Sequence, residues 1–324
     1  MRMSQQGSRW CVVVADDHGP EWGLSVGSAG SSLPIQYCCL GKSGTLLQRA
    51  LRRASRVAPE SQILVTLNEG YRELWEPPLW WVRPSNRYIG DCRAASLLTT
   101  TAALLSIASE SPSHIVTILP ARCYAAQEWV LSEALDQALS LLPQIAEGAL
   151  TLGMVDLDDG IDEDYLIASR ASRTPGLVVQ GMARRPVWWI AKHLRRQGAM
   201  IASGIQIGYA GAFAAHIVRY WPKLAAAVTE FIATAGESGI ERNIPAALYE
   251  GVPSSVLRAL RWHPPLFPQR AICVFRSGWS GLRSARASAR ISAFAMSTND
   301  YQSAYLSHAS RLDEEPLDLP VATS

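Results

Sequence analysis

The chain has very little lysine. Of its 30 basic residues only Lys42, Lys192 and Lys223 are lysines, and the others are arginines. Genome composition explains such a bias most simply, although planar arginine side chains also suit bidentate contacts with anions. Because 28 acidic residues leave a net charge of +2, bulk charge gives no argument for nucleic acid as a partner, and we predict none.

Long apolar runs and paired cysteines are lacking too. No run reaches the roughly 18 residues that a membrane-spanning helix needs, and the N-terminus lacks the apolar core of a signal peptide. None of the six cysteines belongs to a C-x-x-C pair, which favours buried, reduced thiols. We therefore expect a cytoplasmic protein without a membrane span.

The signatures of several common sites are also missing. The six histidines are scattered without zinc-type spacing, and no G-x-S-x-G nucleophile elbow occurs. Residues 41–43 (Gly-Lys-Ser) resemble the end of a P-loop, G-x-x-x-x-G-K-[ST]. The first glycine of that motif is Gln36 in this chain, so the P-loop is incomplete. In the acidic run 156–164, Gly160 stands where a calcium loop needs its third ligand, so we interpret the run as a solvated loop.

The apolar pattern predicts an α/β protein. Residues 11–56 have the order strand, Gly- and Ser-rich loop, helix. In open α/β sheets, a segment with this order forms a nucleotide site at the carboxyl end of the first strand. Short apolar runs predict strands, and a period of 3.6 predicts helices. The strands are predicted at 11–15, 63–67, 79–82, 114–119, 149–154, 177–182 and 269–276. The helices are predicted at 45–57, 92–108, 126–142, 188–197 and 213–235, the last one interrupted near Pro222.

Two side-chain groups allow more than one interpretation. Four arginines share one side of the first helix, where a solvated face is favoured over a surface for an anionic partner. Two tryptophan pairs are either core residues, which we favour, or exposed anchors of an interface. The arginines are Arg49, Arg52, Arg53 and Arg56, and the tryptophans are Trp80, Trp81, Trp188 and Trp189.

Short motifs follow one another in order along residues 10–290. The first are Pro34-Ile35-Gln36-Tyr37 and Thr45-Leu46-Leu47-Gln48, and Gly278-Trp279-Ser280-Gly281-Leu282 is the last. Between them lie Pro84-Ser85-Asn86-Arg87, Pro120-Ala121-Arg122-Cys123-Tyr124, Ala183-Arg184-Arg185-Pro186 and Ser203-Gly204. This series resembles the mannose-1-phosphate guanylyltransferases, a branch of the sugar-phosphate nucleotidyltransferases.

The resemblance implies a fold and a reaction. The fold is α/β, a three-layer sandwich with a mixed, mostly parallel central sheet of nucleotidyltransferase (GT-A-like) type, spanning residues 10–296. A flexible N-terminus (1–9) and a polar tail (297–324) flank it. The reaction makes GDP-mannose from GTP and mannose 1-phosphate with magnesium, held in that family by two aspartates.

The chain departs from the family at the residues that do this chemistry. Arg122 and Gly281 stand where the family has its two metal-binding aspartates. Ile35 replaces the lysine of the P-K-Q motif. In the glycine-rich loop, Asp16 and Asp17 replace glycines and Glu21 replaces the arginine.

We therefore predict an inactive cleft, without a cofactor, that serves regulation or assembly in sugar-nucleotide or polysaccharide metabolism. Its partner is a guanine nucleotide, a cyclic dinucleotide, another protein or a second copy. The alternative is an active guanylyltransferase with magnesium held by Asp16, Asp17 or Asp91. The residues predicted to line the cleft are Asp16, Asp17, Gly19, Glu21, Gln36, Asn86, Arg87, Arg122, Arg184, Arg185, Ser203 and Trp279.

Overall fold

The structure, a computed structural model, describes eleven stretches of the chain. They are residues 7–16, 23–25, 32–39, 44–90, 95–145, 148–155, 163–170, 175–235, 240–245, 247–250 and 269–281. The predicted tail 297–324 lies outside them, as does most of the predicted flexible N-terminus 1–9. The proposed boundaries of the domain stay predictions.

Strands and helices alternate along the described chain. The strands are β1 (Arg9–Val14), β2 (Gly23–Ser25), β3 (Ser32–Pro34), β4 (Ile63–Asn68), β5 (Arg87–Gly90), β6 (Ile115–Pro120), β7 (Tyr124–Ala125), β8 (Ala149–Val155), β9 (Tyr165–Arg170), β10 (Leu177–Ala183), β11 (Met200–Tyr209), β12 (Arg242–Asn243), β13 (Arg270–Phe275) and β14 (Trp279–Ser280). The helices are α1 (Leu46–Val57), α2 (Arg72–Trp75), α3 (Ala95–Glu110), α4 (Glu128–Leu141), α5 (Trp188–Arg196), α6 (Ala210–Tyr220), α7 (Pro222–Ala235) and α8 (Ala247–Glu250).

Ten strands form one sheet in the order β12-β5-β4-β1-β6-β11-β8-β13-β10-β9. The strands β12, β5, β4, β1 and β6 are mutually parallel neighbours, and β8 is parallel to β13. The pairs β6–β11, β11–β8, β13–β10 and β10–β9 are antiparallel. In addition, β9 pairs with β11, which closes β11, β8, β13, β10 and β9 into a ring.

The sheet confirms part of the predicted architecture and corrects the rest. A mixed sheet with helices is confirmed. A mostly parallel sheet is wrong, because antiparallel pairings are as frequent as parallel ones. An open sandwich is also wrong, because β9 bridges β10 and β11 and closes that end of the sheet into a barrel.

Helices cover both faces of the parallel half of the sheet. Alternate residues of β1 point to opposite faces: Cys11 and Val13 pack with α1 and α4, whereas Val12 packs with α3, α6 and α7. All three β1 side chains are fully buried. A strand buried on both faces reads as a continuous apolar run, which is why β1 could be predicted.

One predicted strand is a turn. Residues 77–79 form a short 3-10 helix that continues as a turn, instead of a strand at 79–82. Leu79 and Val82, three residues apart, are buried, whereas Trp80 between them is 62% exposed. This spacing of buried residues belongs to a helical turn rather than to a strand of period two.

The thiols and helices carry two further observations. Every cysteine in the described ranges is free, namely Cys11, Cys38, Cys39, Cys123 and Cys273. No helix in those ranges is long and apolar enough to cross a membrane.

Candidate functional site

The strands β5, β4, β1 and β6 run in the same direction, so their carboxyl ends share one edge of the sheet, here called the carboxyl edge. The chain leaves β1 along this edge in a fixed path. The Ala15 amide donates to Thr66 O at 3.0 Å, and the Ala121 amide donates to Val14 O at 2.8 Å. The residues that follow β1 and β6 therefore start side by side, as expected for a site at this edge.

Asp16 is the first predicted site residue on this path, and it is buried. Its carboxylate accepts hydrogen bonds from the hydroxyl of Thr66 on β4, at 2.8 Å, and from the hydroxyl of Thr99 on α3. These bonds tie the end of β1 to its neighbours on one face of the sheet. The other predicted residues of this loop, Asp17, Gly19 and Glu21, lie outside the described residues, as does Asp91.

Gln36, one of the residues predicted to line the cleft, lies at the carboxyl edge. It lies in a 3-10 turn, Ile35–Tyr37, and its side-chain amide donates to Ala15 O at 2.9 Å. The neighbouring Ile35 is 1% exposed, so the position that the resemblance assigns to a lysine fills the core. The motif thus holds the end of β1 but supplies no positive charge at residue 35.

Arg122 follows β6 at the carboxyl edge. It is half-buried, and it comes one residue after Ala121, whose amide is bonded to the end of β1. The next residue, Cys123, directs its thiol to Ser203 O at 3.5 Å. The structure thus places a guanidinium-bearing residue between β1 and the start of β7, where the resemblance implies a metal-binding aspartate.

Gly281 follows β14 and lies against a buried carboxylate. Its amide donates to Glu163 Oε1 at 3.2 Å. A Cβ atom at residue 281 would lie 2.8 Å from Glu163 Oε2 and 2.9 Å from Oε1. Glu163 is 5% exposed and so occupies the space into which a side chain at position 281 would extend.

Asp164 joins the same corner to the turn before α5. It is 2% exposed, and its Oδ1 accepts from the Arg185 amide at 3.1 Å. The Arg185 backbone has φ of +37°, a left-handed conformation that costs a non-glycine residue about 1 kcal/mol. The Asp164 carbonyl accepts from the Ala202 amide at 2.8 Å. The exposed Arg184 and Arg185 are therefore fixed beside the start of β11.

Glu163 and Asp164 were missed as site residues by the sequence analysis, and the interpretation of their run as solvated is wrong for both. Acidic runs usually face solvent, and nothing in the pattern separates these two from the four aspartates before them. The signal lies in the partners, Gly281 and Arg185, which are distant in sequence.

Ser203 and Trp279 lie near this corner but serve the fold. The Ser203 hydroxyl donates to Leu152 O at 2.6 Å and accepts from the Ile205 amide at 3.0 Å. These bonds stabilise an irregularity in β11 between Ala202 and Gln206. The Trp279 side chain is 5% exposed and belongs to the core.

Asn86 and Arg87 were predicted to line the cleft, and this prediction is wrong. They lie at the start of β5, where Arg87 pairs with Val65 in the middle of β4, three residues before the carboxyl end of β5 at Gly90. The Asn86 amide donates to Ile63 O at 3.0 Å. The Arg87 guanidinium donates to Leu79 O at 2.7 Å and pairs with Glu241 at 3.1 Å.

The arginine stripe of α1 is also not a solvated face throughout. Arg49 and Arg53 are buried, and both pair with Glu128 of α4, at 2.9 and 2.7 Å. Burial alone would raise the pKa of Glu128, but the hydrogen bonds and charges of Arg53 and Arg49 outweigh it and lower that pKa. The two arginines therefore join two helices and do not form an anion-binding surface.

No group of three or more histidine, cysteine, aspartate or glutamate residues is placed to hold a metal ion within the described ranges. Asp16, Glu163 and Asp164 bind hydroxyl and amide groups of the protein. Together with Gln36, Arg122 and Arg185, they give the carboxyl edge both acidic and basic side chains.

Comparison with known proteins identifies the fold. No protein-family model and no curated protein sequence matches the chain. Solved structures do match. One is named as mannose-1-phosphate geranyltransferase from Thermus thermophilus, with a TM-score of 0.67 and 18% identity over 90% of this chain and 80% of that one.

The second is named as mannose-6-phosphate isomerase from Helicobacter pylori, with a TM-score of 0.60 and 14% identity over 84% of this chain and 99% of that one. The third is provisionally described as a glucose-1-phosphate thymidylyltransferase from Bacillus anthracis, in complex with sucrose. Its TM-score is 0.50 at 9% identity, over 89% of this chain and 95% of that one. At such identities the likeness concerns the fold alone, and the chain has a nucleotidyltransferase-like α/β fold.

Proposed function

We propose that this chain is a nucleotidyltransferase-like protein that does not transfer nucleotides and works as a regulatory or scaffold subunit. It binds a nucleotide without metal, or a protein partner. The observation that carries the proposal is the contact between Gly281 and Glu163. The position that the resemblance assigns to a metal-binding aspartate has no side chain, and the space beside it is filled.

Two other positions of the reaction centre that the resemblance implies support the same conclusion. Nucleotidyl transfer needs a cation to neutralise the charge that develops during attack on the α-phosphorus, and fixed positive groups to hold the phosphates. Arg122 places a positively charged guanidinium group at the position where the resemblance implies an aspartate that binds the metal ion. Ile35 is buried in the core where it implies a lysine.

Arginines at the carboxyl edge determine the kind of ligand that we propose. A guanidinium group binds phosphate through two parallel hydrogen bonds and stacks on a base. Arg122 lies beside the end of β1, and Arg184 and Arg185 are exposed beside the start of β11. We propose a guanine nucleotide or a cyclic dinucleotide as the ligand. The names of two matching structures, which concern sugar 1-phosphates, support a role for the subunit in sugar-nucleotide or polysaccharide metabolism.

Thermal unfolding tests this proposal directly. The chain is unfolded with GTP, GDP-mannose or each of several cyclic dinucleotides, once with magnesium and once with EDTA. We expect one nucleotide to raise the Tm equally in both buffers. Arg122→Ala should remove the shift, whereas the control Arg83→Ala, at an exposed site after the 77–82 turn, should keep it. A shift that requires magnesium would contradict the metal-independent site.

A second outcome separates the two forms of the proposal. If no nucleotide changes the Tm, the nucleotide-binding form is wrong and the protein-binding form remains. It is then tested by co-purification of the tagged chain with sugar-nucleotide enzymes from its own cell. Recovery of no such enzyme would contradict that form as well.

Glu163 favours one alternative, a divergent active guanylyltransferase. Its buried carboxylate lies beside residue 281 and offers an oxygen ligand there, as magnesium requires. In that case the chain releases pyrophosphate from GTP and mannose 1-phosphate in the presence of magnesium. Glu163→Gln would abolish the release, because an amide oxygen is a much weaker ligand than a carboxylate.

A further inference from the structure

The helix α5 presents a group of exposed apolar side chains. Val187, just before the helix, and Trp188, Trp189 and Ile190 in its first turn are 46%, 61%, 57% and 44% exposed. The two indole rings contact each other edge to face, with centroids 5.9 Å apart. Core packing, the favoured interpretation of this tryptophan pair, is therefore wrong. Four adjacent exposed apolar residues form a patch that marks a site of interaction.

Basic side chains lie on both sides of this patch. Arg184 and Arg185 precede it, and Lys192, His193 and Arg196 follow it on α5; all five are exposed. Residues 177–199 contain no aspartate or glutamate. We call residues 184–196 the α5 surface. Asp164 accepts a hydrogen bond from the backbone amide of Arg185 at the edge of this surface.

We propose that the α5 surface docks on an anionic lipid membrane, with Trp188, Trp189 and Ile190 inserted at the interface and the flanking cations on the headgroups. Tryptophan is enriched at membrane interfaces because its ring is apolar and its N–H is polar. Each lysine or arginine near an anionic leaflet adds attraction that falls off within a Debye length. Short amphipathic helices with this composition lie in the interface plane.

The positive charges of the α5 surface argue against a second copy of the chain as the partner that covers it. A symmetric dimer through α5 would bring the same patch of both subunits together. It would then set Lys192 and Arg196 against the same cations of the partner, and like charges repel. A planar anionic membrane brings no positive charge against these cations, and the protruding tryptophans can insert into it. The proposal is independent of the ligand of the cleft.

Co-sedimentation of the full chain with lipid vesicles tests the proposal. One set of vesicles is phosphatidylcholine alone, and the other is phosphatidylcholine with an equal part of phosphatidylglycerol. We expect the protein to pellet with the anionic vesicles and to be released by salt. Trp188→Ser with Trp189→Ser should weaken binding on the order of tenfold, and Lys192→Glu with Arg196→Glu by a similar factor or more.

Matched variants elsewhere on the surface are the controls. Trp80→Ser replaces a tryptophan that is equally exposed, at 62%. Arg83→Glu with Lys223→Glu makes the same change in net charge at two other exposed positions. Both should pellet like the unmodified chain. All of these residues are exposed, and far-ultraviolet circular dichroism verifies that each variant folds.

Three results would overturn the proposal. The first is no pelleting with anionic vesicles, and the second is equal loss of binding in the control variants, which would reduce the effect to bulk charge. The third comes from sedimentation velocity without lipid. A dimer that the tryptophan double variant converts to monomer would show that a second copy covers the α5 surface.

Discussion

At the scale of single residues, the carboxyl edge contains a tight contact between a glycine and a buried carboxylate. Gly281 lies so close to Glu163 that a methyl group there would approach both carboxylate oxygens within 3 Å, and the Trp279 ring at 2.9 Å. The backbone of Gly281 is not in the left-handed region, so the requirement comes from packing and not from φ. The resemblance identifies position 281, but it does not identify Glu163 as the residue that lies against it.

Gly281→Ala should therefore destabilise the chain by about 1–3 kcal/mol, the usual cost of overpacking a buried site. Urea unfolding at neutral pH measures the difference. In Gly181→Ala, where a new Cβ meets nothing within 4 Å, the free energy of unfolding should be nearly unchanged. The cost of Gly281→Ala should shrink when Glu163→Ala is also present, since the two sites couple. Strict additivity of the two changes would contradict the contact.

Sequence reasoning reached some residues of the cleft and not others for a physical reason. Arg122 follows a predicted strand, so its place at the carboxyl edge follows from strand direction, whereas Gln36 follows a loop and reaches this edge through its bond to Ala15 O. Arg87 also lies beside a strand, but at its start, so strand direction does not bring it to the carboxyl edge. Glu163 and Asp164 are buried against Gly281 and Arg185, which lie 118 and 21 residues further along the chain.

At the scale of elements, a cluster of one acid and two arginines joins α1 to α4. Arg49 also donates to Ala125 O at 2.7 Å, and Arg53 to Cys123 O at 2.9 Å. The same two arginines therefore hold the chain that leads from β6 through β7 to α4. The periodicity of α1 predicted the helix correctly, but a period shows only which residues share a face, and not what packs against it.

Removing Glu128 should leave two buried guanidinium groups without their shared counter-charge. We expect Glu128→Ala to cost about 2–4 kcal/mol. The control Glu133→Ala, on the exposed side of the same helix, should cost less than about 0.5 kcal/mol. Urea unfolding of both variants makes the comparison. Equal effects would show that the cluster does not stabilise the contact between α1 and α4.

The same cluster predicts a dependence on pH. Because the pKa of Glu128 is lowered in the folded chain, its contribution to stability is present above the unfolded carboxyl pKa of about 4.3. That contribution is lost as the pH falls through the lower folded value. Glu128→Gln should therefore flatten the acid limb of a plot of unfolding free energy against pH.

His216 of α6 should give a second, separate dependence on pH. Burial first, and the charge of Arg219 second, lower its pKa to about 4, so the unfolded chain binds the proton more readily. Stability is complete above the unfolded pKa of about 6.5 and falls as the pH drops toward the folded value, by roughly 2 kcal/mol from about pH 7 to about pH 5.

His216→Phe removes this titration and retains a ring against Tyr220, whose centroid lies 4.6 Å from that of His216. Its unfolding free energy should change less between those two pH values than that of the unmodified chain. An unchanged slope would mean that another group causes the loss.

At the scale of the whole molecule, apolar runs in the sequence predict where strands lie but not how they pair in the sheet. Strands buried on both faces, such as β1 and β4, were predicted within two residues. Their directions were predicted less well, since parallel and antiparallel strands share the same period. The antiparallel return of β11 between β6 and β8, and the closure through β9, depend on pairings that no local pattern encodes.

At this scale we propose that a nucleotidyltransferase-like fold binds a ligand at the carboxyl edge and does not transfer nucleotides. A ligand of the native chain at 100 times its Kd would stabilise the fold by about 2.7 kcal/mol. That gain is comparable with the cost predicted for Gly281→Ala. Binding in the cleft would thus change the stability of the chain measurably without any turnover.

Continuous measurement of pyrophosphate release, with GTP, mannose 1-phosphate and magnesium present together, tests this claim most directly. We predict no release above that of the same mixture without protein, at every protein concentration. Release that rises in proportion to protein, stops with EDTA and is lost in Glu163→Gln would contradict the account and establish the chain as an active transferase.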